Sequence, residues 1–496
     1  LDYDGRIWYN INLAGEKEKF ILWISSNSGL SFVRRFVMKK NKTSMPGKLI
    51  AGKKLFAFSV IILLFMFFPA ALQAGTNWPQ KQKLVDPSGN AFDLFGYAVS
   101  LDGDLAIVGA PSDESAFIFK WDGNSFSQQQ RIVSSDGLKY VLFGNDVCVS
   151  GDLAIVGCPS CLGKGAAYIF KWNGASWIQQ QRLTASDGAS GDYFGDAVAI
   201  CGNYAIVGAY QDDSYRGSAY VFKYNGSSWV EQQKLTSPNA AANGFFGCSV
   251  AFSDDKMVIV GTWGEDSYRG AAYVFIRDGE IWSSQQKLTA SDGTYGDRFG
   301  SAVAIESNRA IFGAYFGDNG MGSAYVFVRD GNSWSEQQKL IASDGAENDD
   351  FGISVSISGN HAIVGAYGDD SFTGSAYMFK WDGAGWVEEV KLTAPDRMEN
   401  DLFGGSVCIS GDLALAGSPY SNSSKGAAFV YKFCSGADLN GDCLTDFTDY
   451  AILANLWLYN TCSEVNGWCS GSDYDTSGSI DSLDLMFIIR HWLEDI

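Results

Sequence analysis

Histidine is nearly absent from the chain, with two residues in 496, His361 and His491. That scarcity excludes a multi-histidine metal centre and leaves no material for a convincing Ser-His-Asp constellation. Proline is sparse too, nine residues, and no long polar tract occurs, which argues against extensive disorder. One apolar run stands out, residues 55–68, and at 14 residues it is short for a bilayer span. Basic residues are the minority sign: 36 Lys and Arg face 56 Asp and Glu, a formal net charge of −20. Such a surface repels nucleic acid and anionic membranes and favours cations or cationic partners.

Lys39, Lys40, Lys42, Lys48, Lys53 and Lys54 precede the apolar run, and PAALQA (69–74) follows it. This layout reads as a secretory signal, residues 38–74, cut after Ala74; the competing reading is an uncleaved anchor. After cleavage the protein is not expected to be integral to a membrane. Residues 1–37, ahead of Met38, read as an upstream extension of the reading frame, with Met38 or Met45 as the start. Without residues 1–74 the chain keeps 25 Lys and Arg against 52 Asp and Glu, net −27.

What the chain has in quantity is a repeat. Phe-Gly recurs at Phe95, Phe143, Phe194, Phe246, Phe299, Phe351 and Phe403, spaced 48 to 53 residues apart. Fourteen residues after each Phe, 15 in the fourth copy, a Gly opens a short triplet: GAP at 109, GCP at 157, GAY at 208, 313 and 365, GTW at 261, GSP at 417. AYVF or a relative comes next, then WVEQQKL or a relative. Each unit reads as four short strands, with Asp-Gly or Asn-Gly turns between the third and fourth and SGN-like turns between the first and second. No helical period appears from 78 to 433. Seven such units specify an all-β seven-bladed β-propeller over residues 75–433. The first Trp strand, WPQKQKL (78–84), precedes the first Phe-Gly, and the last unit ends at 433 without one. Residues 78–84 are therefore expected to supply the outermost strand of the seventh blade.

The units resemble FG-GAP repeats, the propeller repeat of integrin α-subunits and many bacterial extracellular proteins. The resemblance implies a recognition or adhesion domain. Integrin-type blades often carry an Asp-rich calcium loop between the FG and GAP strands. Here that connection is a tight turn (ISGN, ICGN, LDGD), so those calcium sites are not expected.

The glycines could be taken for a phosphate loop, but no Gly-x-Gly-x-x-Gly opens a helix and no Lys-Ser/Thr follows. Packing between blades, with Phe filling the gap, is the better reading. Loops after the second and fourth strands share one face, and they are acidic. They hold Asp212, Asp213, Glu265, Asp266, Asp369 and Asp370, together with Asp192, Asp297, Asp349 and Asp350. Turn chemistry and solubility account for these residues singly. The same face is where a cationic, calcium-bridged, polysaccharide or protein ligand is expected. His361 is placed in a hairpin turn. Cys148 and Cys408 share an inner-strand slot held elsewhere by Ser or Ala and read as small buried residues. Cys158 and Cys161, three apart in one loop, read as a local disulfide.

After residue 434 the pattern changes. DLNGDCLTDFTD (438–449) places Asp438, Asn440, Asp442, Asp446 and Asp449 at loop positions 1, 3, 5, 9 and 12. DYDTSGSIDSLD (473–484) places Asp473, Asp475, Ser477, Asp481 and Asp484 at the same positions. Oxygen ligands so spaced wrap Ca²⁺, with the backbone carbonyls of Leu444 and Ser479 at position 7. Each loop leads into an apolar helix, YAILANLWL or LMFIIRHWL. The duplicated pair resembles a type I dockerin over residues 434–496, which implies two bound Ca²⁺ ions and a cohesin-type partner. The family's contact positions fall on Phe447, Thr448, Ser482 and Leu483. Cys434, Cys443, Cys462 and Cys469 are enough for two disulfides, with connectivity open.

The expected protein is thus a secreted, non-catalytic recognition or adhesion propeller followed by a small α-helical dockerin-like domain with two EF-hand-like calcium loops. That domain docks it to a cohesin-bearing scaffold or cell surface. Two alternatives stand beside this: a polysaccharide-degrading enzyme or accessory carbohydrate-binding component of a cellulosome-like assembly, and a structural surface protein.

Overall fold

The structure is a computed structural model that describes residues 6–11, 20–25, 78–239, 242–434 and 443. The chain divides into two compact units, Leu1–Pro69 and Ala70–Ile496. In the first, Arg6–Ile11 pairs antiparallel with Phe20–Ser25. Both segments, RIWYNI and FILWIS, are rich in the β-branched and aromatic residues that suit strands. The proposed signal, 38–74, and almost all of the dockerin-like region lie outside the described residues.

In the second unit seven four-stranded antiparallel sheets follow one another in chain order. The third is representative: Val198–Cys201, Tyr204–Ala209, Ser218–Tyr224 and Trp229–Leu235, paired in that order. Its third strand is buried over SAYVF because that strand has sheet neighbours on both sides and blades on both faces. The outer strand buries only its ends, Trp229 and Leu235. Asn225 closes the outer hairpin, its Oδ1 accepting the Ser227 and Ser228 amides at 3.0 Å. Such side-chain turns explain why Asn-Gly and Asp-Gly pairs recur there.

The seventh sheet joins Val407–Ser410, Leu413–Ser418 and Ala427–Lys432 to Gln80–Leu84. The ring therefore closes with a strand from the other end of the repeat region, as its frame predicts. Cys158 is disulfide-bonded to Cys161, and Cys434 to Cys443.

Neighbouring blades meet backbone to backbone. Phe194 is buried among Ile155 and Ile169 of the second blade and Val198, Tyr220 and Phe222 of its own. Its amide donates to the Lys164 carbonyl, and Phe194 and Gly165 form a parallel bridge. A Cβ added at Gly208 would lie 2.0 Å from the Gly247 carbonyl oxygen of the next blade. The first glycine of each of the other six GAP-like triplets makes the same approach, at 1.9–2.1 Å. No side chain fits there, so the phosphate-loop reading gives way to packing.

Six parallel bridges stitch six seams in this way. The first blade has a shorter loop, PSDES, and uses a side chain instead. Glu114 accepts the Val141, Leu142 and Phe143 amides at 2.8, 3.3 and 2.9 Å.

The outer strands are stitched by the Gln-Gln pair. Gln180 accepts the Trp229 indole at 2.9 Å. Gln181 clasps the Trp229 backbone, accepting its amide at 2.8 Å and donating to its carbonyl at 2.7 Å. The clasp recurs at Gln82, Gln130, Gln233, Gln286 and Gln338. At the closing seam Glu389 takes the Trp78 indole at 3.0 Å and Val390 stands where the clasping glutamine would be. His361 packs there, 5.3 Å from Trp78 and 4.9 Å from Phe433. It opens the strand His361–Ala366 and is not in the turn, which Gly359 and Asn360 form by themselves.

Gly208→Ala should cost about 3 kcal/mol, because two backbones must separate. Glu114→Ala should cost about 2 kcal/mol by leaving amides unpaired. Urea unfolding of each variant checks both; a change under about 0.5 kcal/mol in either would contradict this account of the seams.

Candidate functional site

The acidic loops separate into two kinds of carboxylate. Asp212 is buried, its Oδ2 accepting Ser218 Oγ at 2.5 Å and pairing with Lys234 Nζ at 2.6 Å. Lys234 also meets Asp187 at 2.7 Å, and the Tyr220 hydroxyl donates to Asp187 at 2.8 Å. Burial works against the charge on Lys234, but Asp187 and Asp212 more than offset it and its pKa is raised. Asp369 and Asp344 hold Lys391 in the same way, at 2.6 and 2.7 Å. Glu265 holds Lys287 at 2.6 Å and accepts the Tyr273 hydroxyl. Asp212, Glu265 and Asp369 are therefore internal counter-ions of the lysine in KLT, not free ligand contacts. Asp192, Asp297 and Asp349 are buried as well, each accepting the amide three residues before it.

Asp213, Asp266 and Asp370 remain exposed, paired at the surface with Arg216, Lys287 and Arg397. Each begins three consecutive residues of positive φ: Asp213, Ser214 and Tyr215 at 50°, 60° and 66°, with the same run at 266–268 and 370–372. This left-handed turn is costly for L-residues. It is closed by the Gly217 amide donating to the Asp212 carbonyl at 2.9 Å. It also brings Tyr215 to within 5.9 Å of Phe245, edge-on.

Phe245 belongs to a feature that strand patterning alone leaves unread. The third triplet position is Pro111, Pro159 and Pro419 in the first, second and seventh blades, but Tyr210, Trp263, Tyr315 and Tyr367 in the third to sixth. The residue before each Phe-Gly follows the same division. Leu94, Leu142 and Leu402 stand on one side of the ring, and Tyr193, Phe245, Arg298 and Asp350 on the other. All seven have φ between 54° and 63°.

The side chains of the third to sixth blades form a continuous arc. Tyr193 lies 5.7 Å from Tyr210, Tyr210 lies 6.2 Å from Phe245, and Phe245 stacks on Trp263 at 4.1 Å and 9°. The Arg298 guanidinium then sits over Trp263, Tyr315 and Phe316 at 5.1, 5.2 and 4.6 Å. Beyond it the Tyr367 hydroxyl engages Asp350, whose carboxyl is raised by burial.

The arc borders the central channel, a cavity of about 910 Å³ lined by the innermost strands together with Tyr97, Tyr367 and Tyr420. Two acids are recessed in it. Burial pushes Asp146 up to about 7 against the pull of the Val198 and Val147 amides, and Asp196 up to about 6 against Asn145. Cys148, Cys201, Cys248 and Cys408 are unpaired and line the same channel. Burial pushes the Cys148 and Cys248 thiols up to about 12, which makes them poor nucleophiles. Cys148 and Cys408, expected as small buried residues, are only partly buried because their strands line the channel, and Cys408 Sγ also accepts the Leu101 amide at 3.2 Å.

Among the described residues no group of three His, Cys, Asp or Glu is arranged to hold a metal. Asp438, Asn440, Asp442, Leu444, Asp446, Asp449, Asp473, Asp475, Ser477, Ser479, Asp481 and Asp484 lie outside those residues. So do Phe447, Thr448, Ser482 and Leu483. His361 sits at the opposite end of its strand from Tyr367 and takes no part in the arc.

The channel acids have a pH signature. Their folded pKa values stand above the ordinary carboxylate value, so the stability they contribute is full below about pH 4 and is lost as pH rises through about 6 and 7. An Asp146→Asn, Asp196→Asn double variant stays neutral throughout. Between pH 5 and pH 8 it should lose less stability than the parent by about 2 kcal/mol, part of the full linkage because both recessed groups keep some contact with channel solvent. Urea unfolding at the two pH values checks this, and equal losses would contradict it.

Comparison with known proteins follows the same units. The family model described as "FG-GAP repeat" matches residues 78–119, 126–170, 177–222, 229–275, 282–327, 334–379 and 386–431. Among solved structures, a chain from "Crystal Structure of Mitotic Checkpoint Complex" aligns at 13% identity and a TM-score of 0.48, covering 79% of this chain and 99% of its own. "Structure of U3-55K" aligns at 13% identity and 0.48, covering 72% and 99%. The seven matched repeats span well over half of the protein, and on them the chain belongs to the FG-GAP repeat family.

Proposed function

We propose that the chain is a secreted recognition protein. In this reading its propeller binds a ligand on the loop face, and its C-terminal region anchors it by calcium-dependent docking. The observation that carries the first part is where the seven-fold pattern breaks. Positions that repeat faithfully are spent on seams and internal ion pairs, whereas the aromatic and charged departures gather on four adjacent blades beside the channel. Function lives in such departures, because a fold by itself is a scaffold. A recognition or adhesion role is also what the FG-GAP propeller suggests in general terms.

The anchoring part rests on the duplicated acidic loops at 438–449 and 473–484 and their resemblance to dockerin loops. In this reading each loop wraps one Ca²⁺ through its Asp, Asn and Ser oxygens, and ordering the loops presents Phe447, Thr448, Ser482 and Leu483 to a cohesin-type domain. Two disulfides agree with an oxidising, extracytoplasmic setting, which supports export by the 38–74 segment.

The test uses the full chain and a panel of cohesin domains. Retention in Ca²⁺, lost on chelation and lost in an Asp438→Ala, Asp473→Ala double variant, is the expected result. Retention that ignores calcium, or none on any cohesin, contradicts the anchoring. Sugar released from polysaccharides by the same preparation would replace recognition with catalysis.

A further inference from the structure

The short loop of the first blade leaves a gap in the rim of the loop face. Ala116 stands seven places after its strand partner Gly109, whereas Ala219 stands 11 after Gly208. The residues it lacks are those that build the left-handed turn of other blades, at 213–215, 266–268, 370–372 and 422–424. Two loops flank the gap. One enters the first blade, its Leu94 and Phe95 amides donating to the Ser424 and Lys425 carbonyls of the seventh. The other enters the second blade and is held by the Glu114 side chain. Each loop carries an aromatic residue where the chain elsewhere avoids one. The position three before Phe-Gly has positive φ in all seven copies. Five copies fill it with Gly191, Asn243, Gly296, Asn348 and Asn400, residue types that tolerate a left-handed backbone. The two beside the gap fill it with Phe92 (φ 73°) and Tyr140 (φ 60°). Neither ring repays that strain by packing within the propeller. Phe92 is 70% exposed and Tyr140 95%, and among the described residues neither meets another ring. Bulky residues kept in a strained conformation without a packing return point to a role outside the fold.

The free charge beside these rings is positive. Lys139 and Lys425 are exposed and, among the described residues, have no carboxylate partner. The nearby carboxylates are engaged. Asp113 pairs with Arg131 at 2.7 Å, Asp86 accepts the Ser88 amide and hydroxyl at 2.9 and 2.8 Å, and Glu114 takes its three amides. The exposed Asp213, Asp266 and Asp370 belong to the third, fourth and sixth blades, away from the gap. Open rings on two sides of a gap, with unpaired lysines beside them, suit a segment that mixes apolar and acidic side chains. A sugar ring would need free acceptors for its hydroxyls, and the carboxylates here are taken. An anionic membrane is a broad surface that meets the acidic balance of the whole chain. A single peptide segment meets only the charges within about 8 Å of it, and here the unpaired ones are lysines.

We propose that the gap over the first blade is a docking notch for an acidic, apolar peptide segment of a partner protein. Its apolar side chains lie on Phe92 and Tyr140, and its carboxylates pair with Lys139 and Lys425. The notch rests on the loop-face recognition reading above and names the partner's class: it takes one segment of a protein whose remainder meets the arc.

The experiment measures binding of the full chain to a short synthetic peptide in which Glu alternates with Phe and Leu. The same peptide with Gln for Glu, and vesicles of anionic phospholipid, are the comparators. The Glu peptide should bind about tenfold more tightly than the Gln peptide at low salt, an advantage that shrinks as salt is added. Lys139→Gln with Lys425→Gln should remove that advantage and leave the Gln peptide unchanged. Phe92→Asn with Tyr140→Asn should weaken both peptides by about thirtyfold. That variant should melt no lower than its parent, because asparagine is what three other copies carry at this left-handed position. The proposal is overturned if the Gln peptide binds as well as the Glu peptide, or if the asparagine variant binds like the parent or melts well below it. Vesicles that bind where the Glu peptide does not would overturn it in favour of a membrane. If the Glu peptide fails while another ligand is retained through Trp263, the notch falls and loop-face recognition stands.

Discussion

Carbonyl oxygens of one blade lie about where the β-carbons of the next would be. This approach of main chain to main chain at every seam is what the remaining architecture depends on. It requires a glycine at each triplet, it sets the parallel bridge that places each buried Phe between two blades, and it fixes the spacing of the inner strands around the channel. Side-chain packing and hydrogen bonding then lock what the backbones have brought together: the Phe clusters inside, and the glutamine clasp on the Trp strands outside. The two irregular seams obey the same requirement by other means. Glu114 supplies from a side chain the acceptors that a shortened loop cannot offer, and Glu389 with Trp78 closes the ring without a clasp.

Because every copy must satisfy the seam, faithful repetition here is a mark of structural duty. That changes the meaning of the acidic rim. Its most regular carboxylates, Asp212, Glu265 and Asp369, are counter-ions for a lysine that is equally regular. The positions free to vary are those that leave the seam at the loop face, namely the third triplet residue and the residue before Phe-Gly. On four consecutive blades they are aromatic or charged, and on three they are proline or leucine. A ring of identical blades has no preferred side; this one acquires a side through those substitutions.

Much of the fold was legible in the residues alone. A 52-residue period with Phe-Gly, a glycine triplet and a Trp strand leaves few architectures, and the position of WPQKQKL ahead of the first Phe-Gly foretells the shared seventh blade. The site was legible only in part. Alternation of polar and apolar residues cannot distinguish a glutamine facing water from one holding the next blade, so the clasp of the Gln-Gln pair is not visible in the strand pattern. Nor can an Asp-Asp pair say which member is buried; the signal was the basic residue that recurs at this place in every outer strand, Arg131 and Arg182 in two blades and lysine in the rest, which needs a counter-ion. His361, expected in the hairpin turn, instead opens the strand that follows Gly359 and Asn360. The arc was visible in the change from GAP to GAY and GTW, yet in a strand pattern those letters count only as variation within a repeat.

The most direct test of this division between scaffold and face exchanges one for the other. In a full chain in which Tyr210, Trp263, Tyr315 and Tyr367 all carry the proline of the other three copies, melting temperature and ligand retention are measured together across a glycan and protein panel. The expected result is a propeller that melts like its parent and retains none of the parent's ligands. A variant that keeps the parent's ligands, or one whose ring no longer folds, would contradict it.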